Sequence, residues 1–383
     1  MNFLATAAFG LEGLVARELR ALGCPADAIN GGAAFHGTLE DAMRANLCLR
    51  SADRVLLVLD TFPATTFEAL FEGVRAIAWE DYLTPQCAFP VSGNCARSTL
   101  MSIRDCQSIT KKAIVERLKS RYPLDWFPEN GPVVPISVTL HGDTARLCID
   151  LSGTALNRRG YRTWNGEAPL RETLAASLVS LSPWRPGLPL YDPCCGTGTL
   201  LIEAAMVMGK LAPGLERPMA MESFPFVSQD MCRRLRETLR AQAEPDHIRD
   251  ISGSDIDPQA LTLARRHLAQ AGLKGKLSLS CMDLRNVQLQ APQGVFLCNP
   301  PYGERLSDRR SCEQLYAELR RLQDRHPGWT LCAISSHPQF ERCFGRRADK
   351  KRRLYNGRLE CEFMTFLPRH PHPAVERPQA PRP

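Results

Sequence analysis

The sequence predicts an α/β protein: a mostly parallel sheet wound on both faces by helices, with an antiparallel hairpin at one edge, preceded by a smaller α+β region. Three observations carry this. From residue 156 onward, short apolar runs alternate with amphipathic helical stretches, the pattern of parallel strands joined by crossover helices. Near the end, Asn356-Gly357 separates Arg353-Leu354-Tyr355 from a strand-like run over 359–367, a strong hairpin signal. In the first 60 residues, strands and helices alternate over a span that suits only a small module.

Residues 3–8 read as an apolar strand. Leu11, Leu14, Val15, Leu19 and Leu22 then recur at helical spacing, with Gly23 as a stop. Strands are expected over 33–35 and 54–59, with a helix over 39–49 between them. Residues 1–60 are thus expected to form a ferredoxin-like module. Residues 61–155 repeat the mixture, with helices over 66–76 and 108–121 and strands over 89–92, 136–140 and 144–150. The helix from 108 carries Lys111, Lys112, Arg117, Lys119 and Arg121 on its polar side. That side is either a solvated face or a surface for phosphates. Residues 156–368 form the largest block, with strands over 189–191, 251–254, 277–281, 295–297 and 330–334. A stretch from 211 to about 247 interrupts it and reads as an insertion, helical over 230–243. Residues 369–383, rich in Pro, His and Arg, read as a disordered tail.

Composition narrows the function. The chain has 383 residues and is 44% hydrophobic, ordinary for a globular protein. Its net charge of +7 leans towards polyanionic partners. The 15 cysteines show no paired spacing for zinc and no disulfide framework, so no metal is expected and the thiols are expected to be reduced. The N-terminus lacks the pattern of a signal peptide, and no apolar run approaches the roughly 20 residues that cross a bilayer. A cytoplasmic location with no membrane partner is the expectation.

Three motifs end consecutive strands with a carboxylate. Asp192-Pro193-Cys194-Cys195-Gly196-Thr197-Gly198-Thr199 lies between a strand and a helix. Glycines there let the backbone turn tightly and let a ligand approach. A phosphate loop would add a lysine or a fuller glycine set. Here an acid, Asp192, opens the loop, which suits a cationic ligand such as S-adenosylmethionine, with Cys195, Gly196 and Gly198 against it. The adjacent Cys194 and Cys195 read as small packed residues, since nothing nearby would activate a thiolate. In Gly253-Ser254-Asp255-Ile256-Asp257, Asp255 is placed to accept from ribose hydroxyls, and Asp257 is a further cofactor-binding candidate that partly serves as cap of the helix that Pro258 opens. Asp283, after the strand over 277–281, is a candidate partner for an adenine amine.

The fourth motif, Asn299-Pro300-Pro301-Tyr302, decides the chemistry. Two prolines fix φ and hold a rigid turn. The Asn299 amide oxygen and the Pro300 carbonyl can both accept from one –NH₂ group. An exocyclic base amine is a weak nucleophile because its lone pair is delocalised into the ring. Two acceptors localise that pair and aim it at a sulfonium methyl. Tyr302 offers a flat face to a base swung out of its helix.

These motifs, in this order, resemble the THUMP-domain class I RNA methyltransferases, in particular bacterial enzymes that make N2-methylguanosine in large-subunit ribosomal RNA. The run from Leu151 to Arg162 is similar to the family's junction between THUMP and catalytic domains. The run from Ala168 to Ala176 is similar to the helix before the catalytic core, and Leu354-Tyr355-Asn356-Gly357 also matches. The family loop often has Met at 194 and Ser at 197; here they are Cys194 and Thr197. In some species the family's enzyme is fused to a second methyltransferase domain, which these 383 residues do not include.

The resemblance implies a Rossmann-like catalytic domain over 156–368, a THUMP RNA-binding domain over 61–155 and the ferredoxin-like module in front. It implies S-adenosylmethionine as cofactor and structured RNA as partner, ribosomal RNA first and transfer RNA as an option. Lys111, Lys112, Lys119, Arg159, Lys350, Lys351 and Arg352 are the candidate RNA contacts. Two other readings stay open: an N6-adenine methyltransferase on RNA or DNA, and a non-catalytic RNA-binding assembly factor.

Overall fold

The computed structural model describes residues 1–162, 170–302 and 306–368. The expected tail over 369–383, the start of the Ala168–Ala176 run and Gly303 lie outside these residues. The chain forms two compact units. The first comprises Met1–Thr163, Arg171–Ser177 and Gly209–Pro245, and the second holds the remainder.

The first unit runs β1 (Asn2–Thr6), α1 (Glu12–Ala21), β2 (Ala26–Ile29), β3 (Gly32–His36), α2 (Leu39–Cys48), β4 (Arg54–Pro63), α3 (Phe67–Ala76), β5 (Val91–Ala96), α4 (Ile103–Lys119), β6 (Ile136–His141) and β7 (Thr144–Asp150). Local chemistry sets the helix starts. Thr38 and Asp41 form a reciprocal capping box on α2. Thr66 caps α3 by accepting from the Ala69 amide at 3.1 Å. Ser102 caps α4, which therefore begins five residues earlier than hydrophobic spacing suggested.

All seven strands share one sheet, in the order β2-β3-β1-β4-β7-β6-β5. The sequence suggested two separate modules, but one ten-residue strand joins them. Residues Arg54–Val58 of β4 pair with β1, and its other edge pairs with β7 from Leu56 to Pro63 across a bulge at Val58/Asp60. Strand β2 escaped the sequence reading, because its four residues carry no apolar alternation.

Helix α5 (Glu172–Leu181) is divided between the units at Ser177, and the second unit continues with β8 (Leu190–Asp192) and α6 (Thr199–Met208). The chain then returns to the first unit. Helix α7 (Gln229–Ala241) and the turn before it place Met219, Met221, Phe224, Cys232 and Leu235 in the first unit's apolar core. The stretch read as an insertion in the catalytic block therefore completes the other unit. The second unit resumes with β9 (Ile251–Asp255), α8 (Pro258–Gln270), β10 (Ser278–Cys281), β11 (Gly294–Cys298), α9 (Leu306–Arg325), β12 (Trp329–Ser335), α10 (Phe340–Phe344), β13 (Lys350–Asn356) and β14 (Leu359–Phe366).

Its sheet has the order β10-β9-β8-β11-β12-β14-β13. Strands β10 to β12 are parallel, and β14 and β13 add the antiparallel edge hairpin. This is the Rossmann-like arrangement that the alternating runs predicted. From β8 the chain winds outward through β9 and β10, then returns to β11 on the other side. That reversal opens a crevice at the carboxyl ends of β8, β9 and β11. Among the described residues, no helix is long and apolar enough to cross a membrane.

Candidate active site

A cavity of about 490 Å³ opens at this crevice, lined by Asp192, the loop from Cys194 to Thr197, Asp257 and Asn299. Its size suits a small-molecule site. Sequence motifs from three strand ends thus meet in one place.

The loop backbone is tied at nearly every peptide. Asp192 Oδ1 accepts from the Cys194 amide at 3.0 Å. The Cys195 amide donates to the Ser254 carbonyl at 3.0 Å, and the Gly196 amide to Asp255 Oδ2 at 2.7 Å. The imidazole Nδ1 of buried His267, on α8, lies 3.2 Å from the Thr197 carbonyl. Gly198 has φ +80, and a Cβ there would sit 3.3 Å from that of Ala264. At Gly253 a Cβ would fall 2.8 Å from the Asp192 carbonyl, so β8 and β9 approach this closely because residue 253 is glycine.

Electrostatics mark Asp192. Its side chain is 1% exposed. Burial raises its carboxyl well above the usual carboxylate range; the Cys194 amide opposes this and the Asp255 carboxylate adds to it. A carboxyl in this state gains its charge most readily beside a cation. Burial also pushes the thiols of Cys194, Cys195 and Cys298 up, which keeps them protonated and inert as nucleophiles.

Asp255 accepts from Gly196 with one oxygen and from the Asp257 amide, at 3.0 Å, with the other. Each oxygen keeps a second acceptor direction, enough for a hydroxyl pair. Asp257 caps α8 through the Gln259 amide at 2.8 Å and also lines the cavity. Asp283 has a partner of its own. It grips the Arg285 guanidinium, which holds its carboxyl below the usual range, and it is absent from the cavity wall among the described residues.

At the fourth motif, Pro300 is buried and Pro301 exposed. Tyr302 is half-buried, and its hydroxyl donates to Asn299 Oδ1 at 2.5 Å. Asn356 and Cys361 of the edge hairpin face that same hydroxyl. The Asn299 amide oxygen thus accepts one bond from Tyr302 and keeps a second acceptor direction. Residues that line the cavity without a sequence signal include Gln259 and Leu263, one face of α8.

The candidate RNA contacts divide. Arg159 is buried, and its guanidinium donates to the carbonyls of Leu49, Arg50 and Leu156, so it ties backbone together within the first unit rather than facing phosphate. On α4, Lys111 pairs with Glu129 at 2.7 Å and Lys119 with Glu116 at 3.6 Å, while Lys112 lies 6.0 Å from the Phe71 ring. Arg117 and Arg121 both reach Glu80. The helix is a charge-laced face rather than an unopposed basic stripe. Lys350, Lys351 and Arg352 belong to β13. All three are exposed on the sheet's edge strand, where charged side chains also discourage pairing with another strand. Lys351 is held between Glu341 and Glu362.

Comparison with known proteins gives the same picture. The pattern of an RMKL-like methyltransferase domain matches residues 159–365, an RlmL ferredoxin-like domain residues 2–56, and a THUMP domain residues 64–150. A Bacillus subtilis protein named "Putative RNA methyltransferase YpsC" is 39% identical over 367 residues, 95% of each chain. A ribosomal RNA large subunit methyltransferase K/L from Syntrophotalea carbinolica is 34% identical over 400 residues; the match spans all of this chain but 56% of that protein. A solved structure described as a predicted N6-adenine-specific DNA methylase from Listeria monocytogenes superposes with a TM-score of 0.92 at 39% identity, covering 96% of both chains. Another, described as "SMU.472, a putative methyltransferase complexed with SAH", gives 0.92 at 41% identity and covers 97% of this chain and 99% of that one.

Proposed function

The chain belongs to the RMKL-like RNA methyltransferases that carry ferredoxin-like and THUMP domains, and from that premise we propose that it methylates the exocyclic N2 amine of a guanine in structured RNA, with 23S ribosomal RNA as the substrate. The observation that carries this is the meeting of Asn299 with the Asp192 loop in one cavity. S-adenosylmethionine, the cofactor, supplies an electrophilic methyl group on a sulfonium.

The chain's residues bind and aim. Asp192, buried and short of positive partners, suits the cationic end of the cofactor. Asp255, Gly196 and His267 hold the loop in register for it. Asn299 Oδ1 accepts from the target amine through its second acceptor direction, beside the Tyr302 hydroxyl. The amine becomes acidic only as the methyl arrives, so its proton can leave to water and no strong base is required. Positioning and electrostatic complementarity then carry the rate. The exposed Lys350, Lys351 and Arg352, with Lys111, Lys112 and Lys119 on the first unit, are the proposed phosphate contacts.

Guanine is favoured by the resemblance to enzymes that make N2-methylguanosine, and ribosomal RNA by the K/L relatives. The Listeria structure's description favours adenine as a second reading. Methyl-labelled S-adenosylmethionine, total RNA from cells lacking this gene and nucleoside mass analysis separate the two. A labelled N2-methylguanosine peak in the large ribosomal RNA is expected. A labelled N6-methyladenosine peak moves the reaction to adenine, and label confined to transfer RNA removes the ribosomal assignment.

A further inference from the structure

The Asn299–Tyr302 turn has an unusual support problem. Its parallel pairing with β12 ends at Cys298, opposite Ala333. Pro300 and Pro301 have no N–H, so the turn cannot fasten itself through their backbone donors. Yet the reaction needs the Asn299 amide oxygen held to within a fraction of an ångström. Something outside the motif must fix it.

We propose that Tyr316 is a positioning residue for methyl transfer, its hydroxyl holding the Asn299–Tyr302 turn from behind through the Pro301 carbonyl. Tyr316 sits on α9 and is completely buried. Its hydroxyl donates to the Pro301 oxygen at 2.7 Å and lies 3.5 Å from Ser335 Oγ on β12. The ring is clamped by Phe340, 4.3 Å between centroids, and by the edge of His337 at 5.4 Å. A hydroxyl placed so deep in an apolar core is costly unless bonded, and phenylalanine would fill the same space. The bond to Pro301 accounts for the phenol.

The arrangement also partitions the turn's acceptors. Tyr316 occupies the Pro301 carbonyl, while Asn299 is the motif residue at the cavity wall. Two tyrosine hydroxyls thus act on one turn: Tyr302 donates to the amide oxygen that also accepts from the substrate amine, and Tyr316 anchors a carbonyl that does not.

The test is Tyr316→Phe, which keeps the ring and deletes the hydroxyl. Single-turnover transfer of labelled methyl to RNA from cells lacking the gene should fall about 10- to 100-fold. S-adenosylmethionine affinity and the RNA concentration for half-maximal rate should stay within about twofold, as expected for a misaimed acceptor with binding intact. Phe344→Leu loosens the same core without touching the hydroxyl; it should lower Tm and leave the transfer rate at 25 °C unchanged. A crystal structure of Tyr316→Phe should show the turn displaced. A wild-type rate in Tyr316→Phe, an equal rate loss in Phe344→Leu, or an unmoved turn would overturn the proposal. It rests on methyl transfer but not on guanine, because total label is counted whichever base receives it.

Discussion

Binding of S-adenosylmethionine should expel a proton from Asp192. The carboxyl is 1% exposed and accepts the Cys194 amide at 3.0 Å, while burial and the Asp255 carboxylate raise its pKa. Between the ordinary carboxylate value, about 3.9, and its raised value in the folded protein, the group holds a proton without ligand. A cation beside it favours the ionised form, so binding lowers the pKa and releases the proton. Affinity should therefore rise with pH, by at most tenfold, about 1.4 kcal/mol, per unit for one whole proton. The rise should level off once the pH passes the raised pKa of Asp192 in the ligand-free protein.

Titration calorimetry at several pH values from about 4 upward, each in two buffers of different ionisation enthalpy, counts the protons directly. The same group fixes a sign for folding. The folded protein keeps a proton that the unfolded chain has lost, so ligand-free stability falls as pH rises from about 4 towards the raised pKa. Asp192→Asn keeps an oxygen for the Cys194 amide and cannot ionise. Its Tm relative to wild type should climb with pH by up to roughly 3–6 °C per unit, if the 1.4 kcal/mol is spread over a unit of about 200 residues. Its cofactor affinity should drop. Buffer-independent binding enthalpy, with a Tm difference that ignores pH, would refute the reasoning.

Two further outcomes follow from the site. Asn299→Ala removes the amine acceptor and the partner of the Tyr302 hydroxyl, yet leaves the Asp192 loop untouched; transfer should fall at least about 100-fold, on the scale of losing a preorganised electrostatic contact, with cofactor affinity within twofold by calorimetry. Asp255→Ala frees the Gly196 and Asp257 amides as well as any ribose contact, so cofactor affinity should fall about 10- to 100-fold, equivalent to roughly 1.4–2.8 kcal/mol, and wild-type affinity would return Asp255 to a purely structural part.

What the sequence revealed depended on how local the cause was. The glycine loop at Asp192, the Pro258 helix start, the Asn299 turn and the Asn356-Gly357 hairpin are each set by a few adjacent residues whose backbone preferences can be read directly. Their convergence followed from a general rule about strand ends in parallel sheets. Long-range partnerships were not legible. Nothing in Met219, Met221 or Phe224 says that they will pack with residues 150 positions or more earlier, and nothing in β4 announces that both of its edges are taken. Arg159 looks like a phosphate ligand until its burial is known. The Asp283–Arg285 pair was open to reading, because a D-x-R spacing already offers the acid a partner two residues away. Tyr316 had no signal at all, since its role lies in a hydroxyl reaching the Pro301 carbonyl from a different element.

The detour of residues 209–245 into the first unit also sets a timetable for synthesis. A ribosome releases the seven strands of that unit early, but the side chains that fill part of its core emerge only after roughly 80 further residues, including β8 and the cofactor loop, have been made. At about 5–20 residues per second, the nascent sheet waits on the order of 4–16 s with part of its apolar face unfilled. The first unit therefore cannot finish folding before synthesis of the second has begun. Slow codons or a truncation anywhere between residues 164 and 245 would expose the earlier half to aggregation.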